Sequence, residues 1–251
     1  MKTRLLTRRG ALLTGLASAG GLVIARSLRD LPPTGGNLLR MGDSLTYAAH
    51  RALLPREALA REYGLSDVTS FPATGTTDPA VSVKTALGDD YRRLKGGTFA
   101  DWRLSVTGSV ARPREFSLEE LKRLPARTQV TRHTCEEGWT AIGQWTGVPL
   151  AAVLAAAGIL PAARFVVFSL VDDWVDSIDM RDALHPQTIL AYGMNGRDLP
   201  VPHGAPVRLR VERQLGYKSM KYVRSIVVSD AFDDGGKKGN IQNGWSWYTG
   251  I

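Results

Sequence analysis

Arg132-His133-Thr134-Cys135-Glu136-Glu137-Gly138-Trp139 holds the one cysteine of a 251-residue chain. A lone thiol cannot close an internal disulfide, so its use is either packing or chemistry. As a small hydrophobe it would fill a core. Here two cationic or potentially cationic side chains precede it, and two carboxylates and a Gly-Trp pair follow. Basic neighbours are expected to lower the thiol pKa and favour thiolate, the form that attacks electrophiles or binds soft metals.

Downstream come Trp145-Thr146-Gly147-Val148-Pro149-Leu150, then His203-Gly204-Ala205-Pro206-Val207-Arg208-Leu209 and Gly216-Tyr217-Lys218-Ser219-Met220-Lys221. The first of these with the octet resembles the metal-ligand segment of the sulfite oxidase family. The last two are similar to that family's pterin- and phosphate-gripping stretch. The resemblance runs from about Trp102 to about Asp230, roughly half the chain. It implies an α+β fold, a single mixed, strand-rich domain with short helices. It also implies a molybdenum–molybdopterin cofactor, with Cys135 as both metal ligand and catalytic residue.

The residue chemistry suits that implication. Molybdenum in its higher oxidation states needs an anionic sulfur donor, and Cys135 can supply one. A pterin's phosphate tail needs charge-assisted donors: Arg208 can bind it in a bidentate way, and Lys218 and Lys221 can act as point charges. Ser219 can add a hydroxyl or backbone N–H. By the resemblance, Arg208, Ser219 and Lys221 fall on cofactor-binding positions, and His203 falls where relatives carry a polar residue facing the pterin. His133 has two readings, a bond to the pterin or satisfaction of backbone groups near the metal.

Some features depart from the family pattern. The arginine-rich oxyanion pocket expected for sulfite has no clear upstream match, and Thr69–Thr77 shows no residue-by-residue correspondence to the family's pterin-contacting motif. The roughly twenty residues after Asp230 are too few for an immunoglobulin-like domain. The chain therefore resembles the periplasmic methionine-sulfoxide reductase branch more than the sulfite-oxidising one. The expected function is oxygen-atom transfer on a small oxidised substrate, an S- or N-oxide. A sulfite-oxidising relative is the alternative, and a degenerate binding module the non-enzymatic one. One cysteine cannot hold an iron–sulfur cluster and no haem motif is present, so electrons are expected from a separate partner such as a membrane haem protein.

Composition narrows the remaining classes. At 43% hydrophobic residues the chain can bury a full core. The formal charge is +8, but residues 1–26 hold five basic side chains and no acid. The rest carries 27 basic against 24 acidic residues, dispersed without a basic stripe, so nucleic acid is not an expected partner. Thr7-Arg8-Arg9-Gly10-Ala11-Leu12-Leu13 followed by an uncharged Gly/Ala-rich stretch reads as a twin-arginine signal over 1–26. It predicts export to the periplasm, or at least out of the cytoplasm, already folded. Residues 27–43 read as a linker and 44–251 as the oxidoreductase domain.

Periodicity predicts a helix over Leu45–Tyr63 interrupted at Pro55, and mostly loop over Ser66–Gly97. Strands are expected at Trp102–Gly108, Arg127–His133, Phe165–Val171, Thr188–Tyr192, Val207–Val211 and Lys221–Ser229. A capping box at Ser117–Glu120 and an alanine-rich run at Pro149–Ala157 stopped by Gly158 predict two short helices. Asn195-Gly196 predicts a hairpin turn. Gly42-Asp43-Ser44-Leu45 with Asp182 and His185 mimics a GDSL hydrolase triad. It lacks the apolar strand before the serine and a Gly-x-Asn-Asp block. Asp172, Asp173, Asp176 and Asp179 read as a solvated strand-and-turn edge rather than a cation site. Trp245-Ser246-Trp247-Tyr248 could line a pocket mouth or pack the C-terminus.

Overall fold

Apolar residues at every second position of Arg103–Gly108 send Leu104 and Val106 into the interior, each fully buried. This is strand β1 of a computed structural model that describes residues 38–233 and 235–251. The contacts divide the chain after Pro55. The first unit contributes one described helix, α1, Leu38–Leu53. It starts within the stretch read as linker and stops before Leu54, because a residue preceding proline is disfavoured in the helical region. The twin-arginine segment and residues 27–37 lie outside the described residues. Ser44 falls in mid-helix rather than on a strand-to-helix turn, which removes the hydrolase geometry.

The second unit begins with two helices, α2 (Pro79–Ser82) and α3 (Ala86–Gly96), where loop was expected. Their start signals were readable: Asp78 caps α2 through Ala80 N at 3.1 Å, with proline at the first helical position. After β1 come β2 (Arg114–Ser117) and α4 (Leu118–Arg123). Both halves of the capping box form, with Ser117 Oγ accepting from Glu120 N at 3.1 Å and Glu120 Oε2 from Ser117 N at 2.7 Å. Strands β3 (Arg127–Thr134) and β4 (Thr140–Pro149) then pair antiparallel around the cysteine loop.

Helix α5, Leu150–Ala157, buries Leu150, Val153, Leu154 and Ala157, the spacing of one helix face. Gly158 ends it at φ 73°, donating to Leu154 O and Ala155 O. There follow β5 (Phe165–Leu170), β6 (Val175–Asp179), α6 (Met180–Ala183), β7 (Ile189–Met194), β8 (Arg197–Asp198), β9 (Arg208–Arg210) and β10 (Val223–Ser229). Asn195 and Gly196 both take positive φ in the β7–β8 turn, as expected of Asn-Gly.

Two five-stranded sheets result. One runs β2-β1-β10-β5-β6, with β1 and β10 parallel; the other runs β3-β4-β7-β8, with β9 beside β8 on the same edge of β7. The main core gathers Leu104, Phe116, Leu121, Val153, Leu154, Phe168 and Ile226. Each such side chain contributes roughly 1.5–3 kcal/mol by leaving water. The α+β, strand-rich class is as expected. β2, β4, β6 and the two-residue β8 were not anticipated, because glycines, charges and turn residues interrupt their alternation.

The aspartate cluster differs most from expectation. Asp176 and Asp179 are buried on β6 rather than solvated. Asp176 binds Lys218 Nζ at 2.7 Å, and Asp179 caps α6 through Asp182 N at 2.8 Å. Charge pairing and capping satisfy these carboxylates inside the fold.

Candidate active site

Strand β3 delivers the octet. Its alternation turns Arg132 outward and His133 inward, and the chain then bends so that Cys135 is 6% exposed. Cys135 N donates to Trp139 O at 2.9 Å and Gly138 N to Cys135 O at 3.2 Å, with Gly138 at φ 89°. The thiol donates to Glu136 Oε2 at 3.5 Å. Burial, with the neighbouring Glu136 charge, pushes its pKa up to about 11. The expected lowering by basic neighbours does not occur, since Arg132 faces away and His133 is neutral. A soft metal bound at this sulfur would favour deprotonation by exchanging for the thiol proton.

His133 is fixed by a neighbour that sequence reading did not single out. Arg210 on β9 donates from Nη1 to His133 Nδ1 at 2.6 Å. The same guanidinium grips Glu212 at both oxygens, Nε–Oε1 3.0 Å and Nη2–Oε2 2.7 Å, and Gln129 Nε2 donates to that carboxylate at 3.0 Å. Burial and the Arg210 and Arg208 charges hold the His133 pKa far below its ordinary value. The ring is therefore a neutral acceptor at Nδ1. The Arg-x-Arg-x-Glu spacing of 208, 210 and 212 was the available signal, since alternate strand residues share a face.

Arg208 is buried, 5.0 Å from the Trp145 ring, and Arg210 lies 4.4 Å from the same ring. Arg208 donates to His203 O at 3.1 Å and Ser219 O at 2.7 Å, while its Nε is buried with no partner. Burial and the Arg210 charge push its pKa down to about 9, so it stays cationic at neutral pH. Ser219 Oγ accepts from Val211 N at 3.2 Å. His203 packs edge-on to Phe71, 5.6 Å between centroids, and burial lowers its pKa to about 4.

The two lysines behave differently from the point charges expected of them. Lys218 is fully buried against Asp176 and Ser177 O (3.0 Å), and does not line the cavity described below. Its ammonium neutralises a buried carboxylate instead of meeting a phosphate. Lys221 does line the cavity, but its Nζ donates to Thr74 O at 2.8 Å, Pro202 O at 3.2 Å and Thr76 O. It staples the 71–77 loop. Burial and Arg208 lower its pKa to about 8.

These groups converge on a cavity of about 260 Å³, lined by Cys135, His133, His203, Arg208, Ser219 and Lys221 among the expected residues. Phe71–Gly75, Asp172, Tyr217, Asn240 and Trp245 are also in its wall. Trp245 is 38% exposed at the cavity, whereas Trp247 and Tyr248 pack inward, so both readings of the aromatic tail hold in part. The hydrolase partners are committed elsewhere. Asp182 accepts from Arg213 at 2.9 Å and Gln214 at 2.6 Å, and His185 Nε2 meets Ala58 O at 3.1 Å.

Residues 94–236 match the profile of the oxidoreductase molybdopterin binding domain. The chain belongs to this family. It is 40% identical over 162 residues to an Azospira oryzae protein provisionally named protein-methionine-sulfoxide reductase subunit YedZ1, covering 64% of this chain and 60% of that one. It is 33% identical over 183 residues to the protein-methionine-sulfoxide reductase catalytic subunit MsrP of Xanthomonas campestris, covering 64% and 53%. Among solved structures, the sulfane dehydrogenase SoxCD from Paracoccus pantotrophus aligns with a TM-score of 0.51 and 26% identity, over 54% of this chain and 40% of that one. The chain thus spans 53% to 60% of the length of these two curated relatives.

A molybdopterin fits the cavity on its own terms. The unpaired, buried Arg208 Nε needs an anionic acceptor, and Cys135 is a sulfur donor placed in the same wall. Among the described residues no cluster of three or more His, Cys, Asp or Glu could hold a metal.

Proposed function

We propose that the chain is the catalytic domain of an exported molybdopterin oxidoreductase that reduces S-oxides, methionine sulfoxide included. One observation carries this reading: Cys135 and the cationic, anion-seeking Arg208 line one cavity. Cys135 Sγ would bind the metal. Arg208 would hold the phosphate end, supported by Ser219, and His203 and His133 would border the pterin. When bound, the cofactor supplies a two-electron redox centre and the place where the substrate oxygen is handled. The protein's share is to exclude water, orient the sulfoxide and supply hydrogen bonds to its oxygen. The overall reaction consumes two electrons and two protons and releases the sulfide and water, with electrons from a separate haem-bearing membrane partner.

Substrate choice follows from charge. Of the lining cations, Lys221 is occupied by three carbonyls and Arg208 is assigned to the phosphate end, while Arg210 lies outside the lining and is held by Glu212. A doubly charged sulfite needs more than one available cation, whereas a neutral sulfoxide needs mainly a donor. The testing experiment assays metal-replete protein with an artificial electron donor or acceptor against sulfoxides, N-oxides and sulfite. Sulfoxide turnover lost in Cys135→Ala, together with loss of one sulfur from the metal's X-ray absorption shell, is expected. Sulfite turned over at a higher specificity constant than every sulfoxide would favour the sulfur-oxidising reading instead. Export through Arg8 and Arg9 is tested separately, by a twin-lysine substitution that retains folded precursor in the cytoplasm.

A further inference from the structure

The His133 ring has one nitrogen engaged and one open. A guanidinium can only donate, so the 2.6 Å contact from Arg210 Nη1 makes Nδ1 the acceptor and leaves the ring proton on Nε2. Phe71 at 5.2 Å and Trp139 at 5.4 Å between centroids pack against the ring. Among the described residues Nε2 meets no hydrogen-bond partner. Gly216 stands next to it in the cavity lining, and a Cβ there would come within 2.4 Å of Nε2. Gly216 takes no positive φ, so its backbone does not require glycine; what it leaves is room in front of that N–H.

Other donors in the lining are committed. Tyr217 Oη donates to Ser246 O at 2.7 Å, Trp139 Nε1 to Glu137 at 3.0 Å, and Lys221 to its three carbonyls. No side-chain hydrogen bond among the described residues sets the tautomer of His203. His133 is two residues from Cys135, at most about 7 Å along an extended chain. A sulfoxide oxygen carries partial negative charge and needs a donor held in place beforehand. We propose that His133 Nε2–H donates the hydrogen bond to the sulfoxide oxygen, and that Arg210, held by Glu212, is the positioning residue that fixes this tautomer. The imidazole keeps its proton, so its share is to orient and polarise the S–O bond.

This inference rests on the S-oxide-reducing reading, and the test keeps the two apart. Metal-replete holoenzyme is prepared as the wild type, His133→Phe, His133→Gln and His133→Asn. A double variant, Arg210→Met with Glu212→Gln, removes both charges of the buried pair together. Pterin per chain is measured first, then kcat and KM for a neutral dialkyl sulfoxide with an artificial electron donor. Nitrogen-15 NMR of histidine-labelled protein reads which ring nitrogen carries the proton, with His133→Gln identifying the resonance by its loss.

The wild type should show the proton on Nε2, and the double variant a mixture of tautomers. His133→Phe should keep its pterin and lose roughly tenfold or more in kcat/KM. His133→Gln, with an amide N–H at the Nε2 position, should stay within about threefold of the wild type, whereas His133→Asn falls as far as the phenylalanine variant. A wild-type proton on Nδ1, unchanged kcat/KM in His133→Phe, or equal activity of the glutamine and asparagine variants overturns the proposal. Loss of pterin in step with activity overturns it too, by assigning the ring to the cofactor. If His133→Phe does not fold, the glutamine–asparagine comparison decides. Wild-type holoenzyme inert toward every sulfoxide overturns the functional reading and this inference with it, whereas active wild type with indifferent His133 variants overturns this inference alone.

Discussion

Arg210 Nη1 sits 2.6 Å from His133 Nδ1, and that contact sets the protonation of the imidazole two residues before the thiol. A permanent cation can only donate, so Nδ1 must accept and the ring must stay neutral. The Glu212 carboxylate balances the guanidinium, which keeps a buried cation tolerable. The Arg210 cation behind Cys135 is thus charge-compensated, whereas Arg208 keeps a buried Nε without a partner.

Arg208 and Lys221 should respond differently to truncation. Arg208→Ala should weaken cofactor retention by roughly 1.5–3 kcal/mol through loss of a charge-assisted contact. Lys221→Met removes the donor to Thr74, Thr76 and Pro202 carbonyls, so proteolytic nicking within residues 71–77 should rise. Peptide mapping after brief digestion, together with pterin release, separates the two. Equal nicking in both variants would remove the stapling role.

Gly216 is predicted to be irreplaceable by alanine. An added Cβ would stand 2.4 Å from His133 Nε2 and 2.7 Å from its Cε1. His133 cannot swing away, being clamped by Arg210. Gly216→Ala should cost roughly 1–3 kcal/mol, seen as a lower denaturant midpoint with an unchanged slope.

Lys218→Met should be among the more damaging single changes. It strands Asp176, buried and bonded to Asn240 of the C-terminal segment as well as to Lys218. Breaking a buried pair on one side costs roughly 3–5 kcal/mol. Thermal unfolding measures the loss. A melting curve like that of the wild type would return Lys218 to the phosphate role read from the sequence.

Acid should destabilise the fold before most carboxylates titrate. His185 and His203 are pushed down to about 4, chiefly by burial, against about 6.5 in an unfolded chain. Between those values the unfolded state binds more protons, so stability rises with pH. This contribution is complete above about pH 6.5 and is lost as pH falls toward 4. His185→Gln should flatten the decline of urea midpoints between pH 7 and 4.5. A decline as steep as the wild type's would place the effect on other groups.

What the sequence disclosed follows the range of the interactions involved. The capping box, the Gly158 stop and the Asn195-Gly196 turn depend on neighbours within a few residues, and each formed as read. The cavity residues Cys135, His133, His203, Arg208 and Ser219 were found through two motifs, and they do meet in one wall. Asp172 and the Arg210–Glu212 pair are defined by partners brought from other elements, and periodicity carries no trace of that. Lys218 and Lys221 show the same limit. Their spacing marked them as cations near a pterin, but Asp176 and the 74–76 carbonyls determine what each one holds.

The Lys221–Thr74 bond has a consequence in time. It joins positions 147 residues apart, and β1 meets β10 with Ser105 opposite Ser225. Neither link can form while the ribosome still holds the final third of the chain. The cavity is consequently among the last parts of the molecule to exist, after local helices and hairpins have already settled. Until that closure, Cys135 is the thiol of an unfinished polypeptide, open to oxidants and stray metals. The interval between synthesis and cofactor capture is when this protein is most exposed to irreversible error.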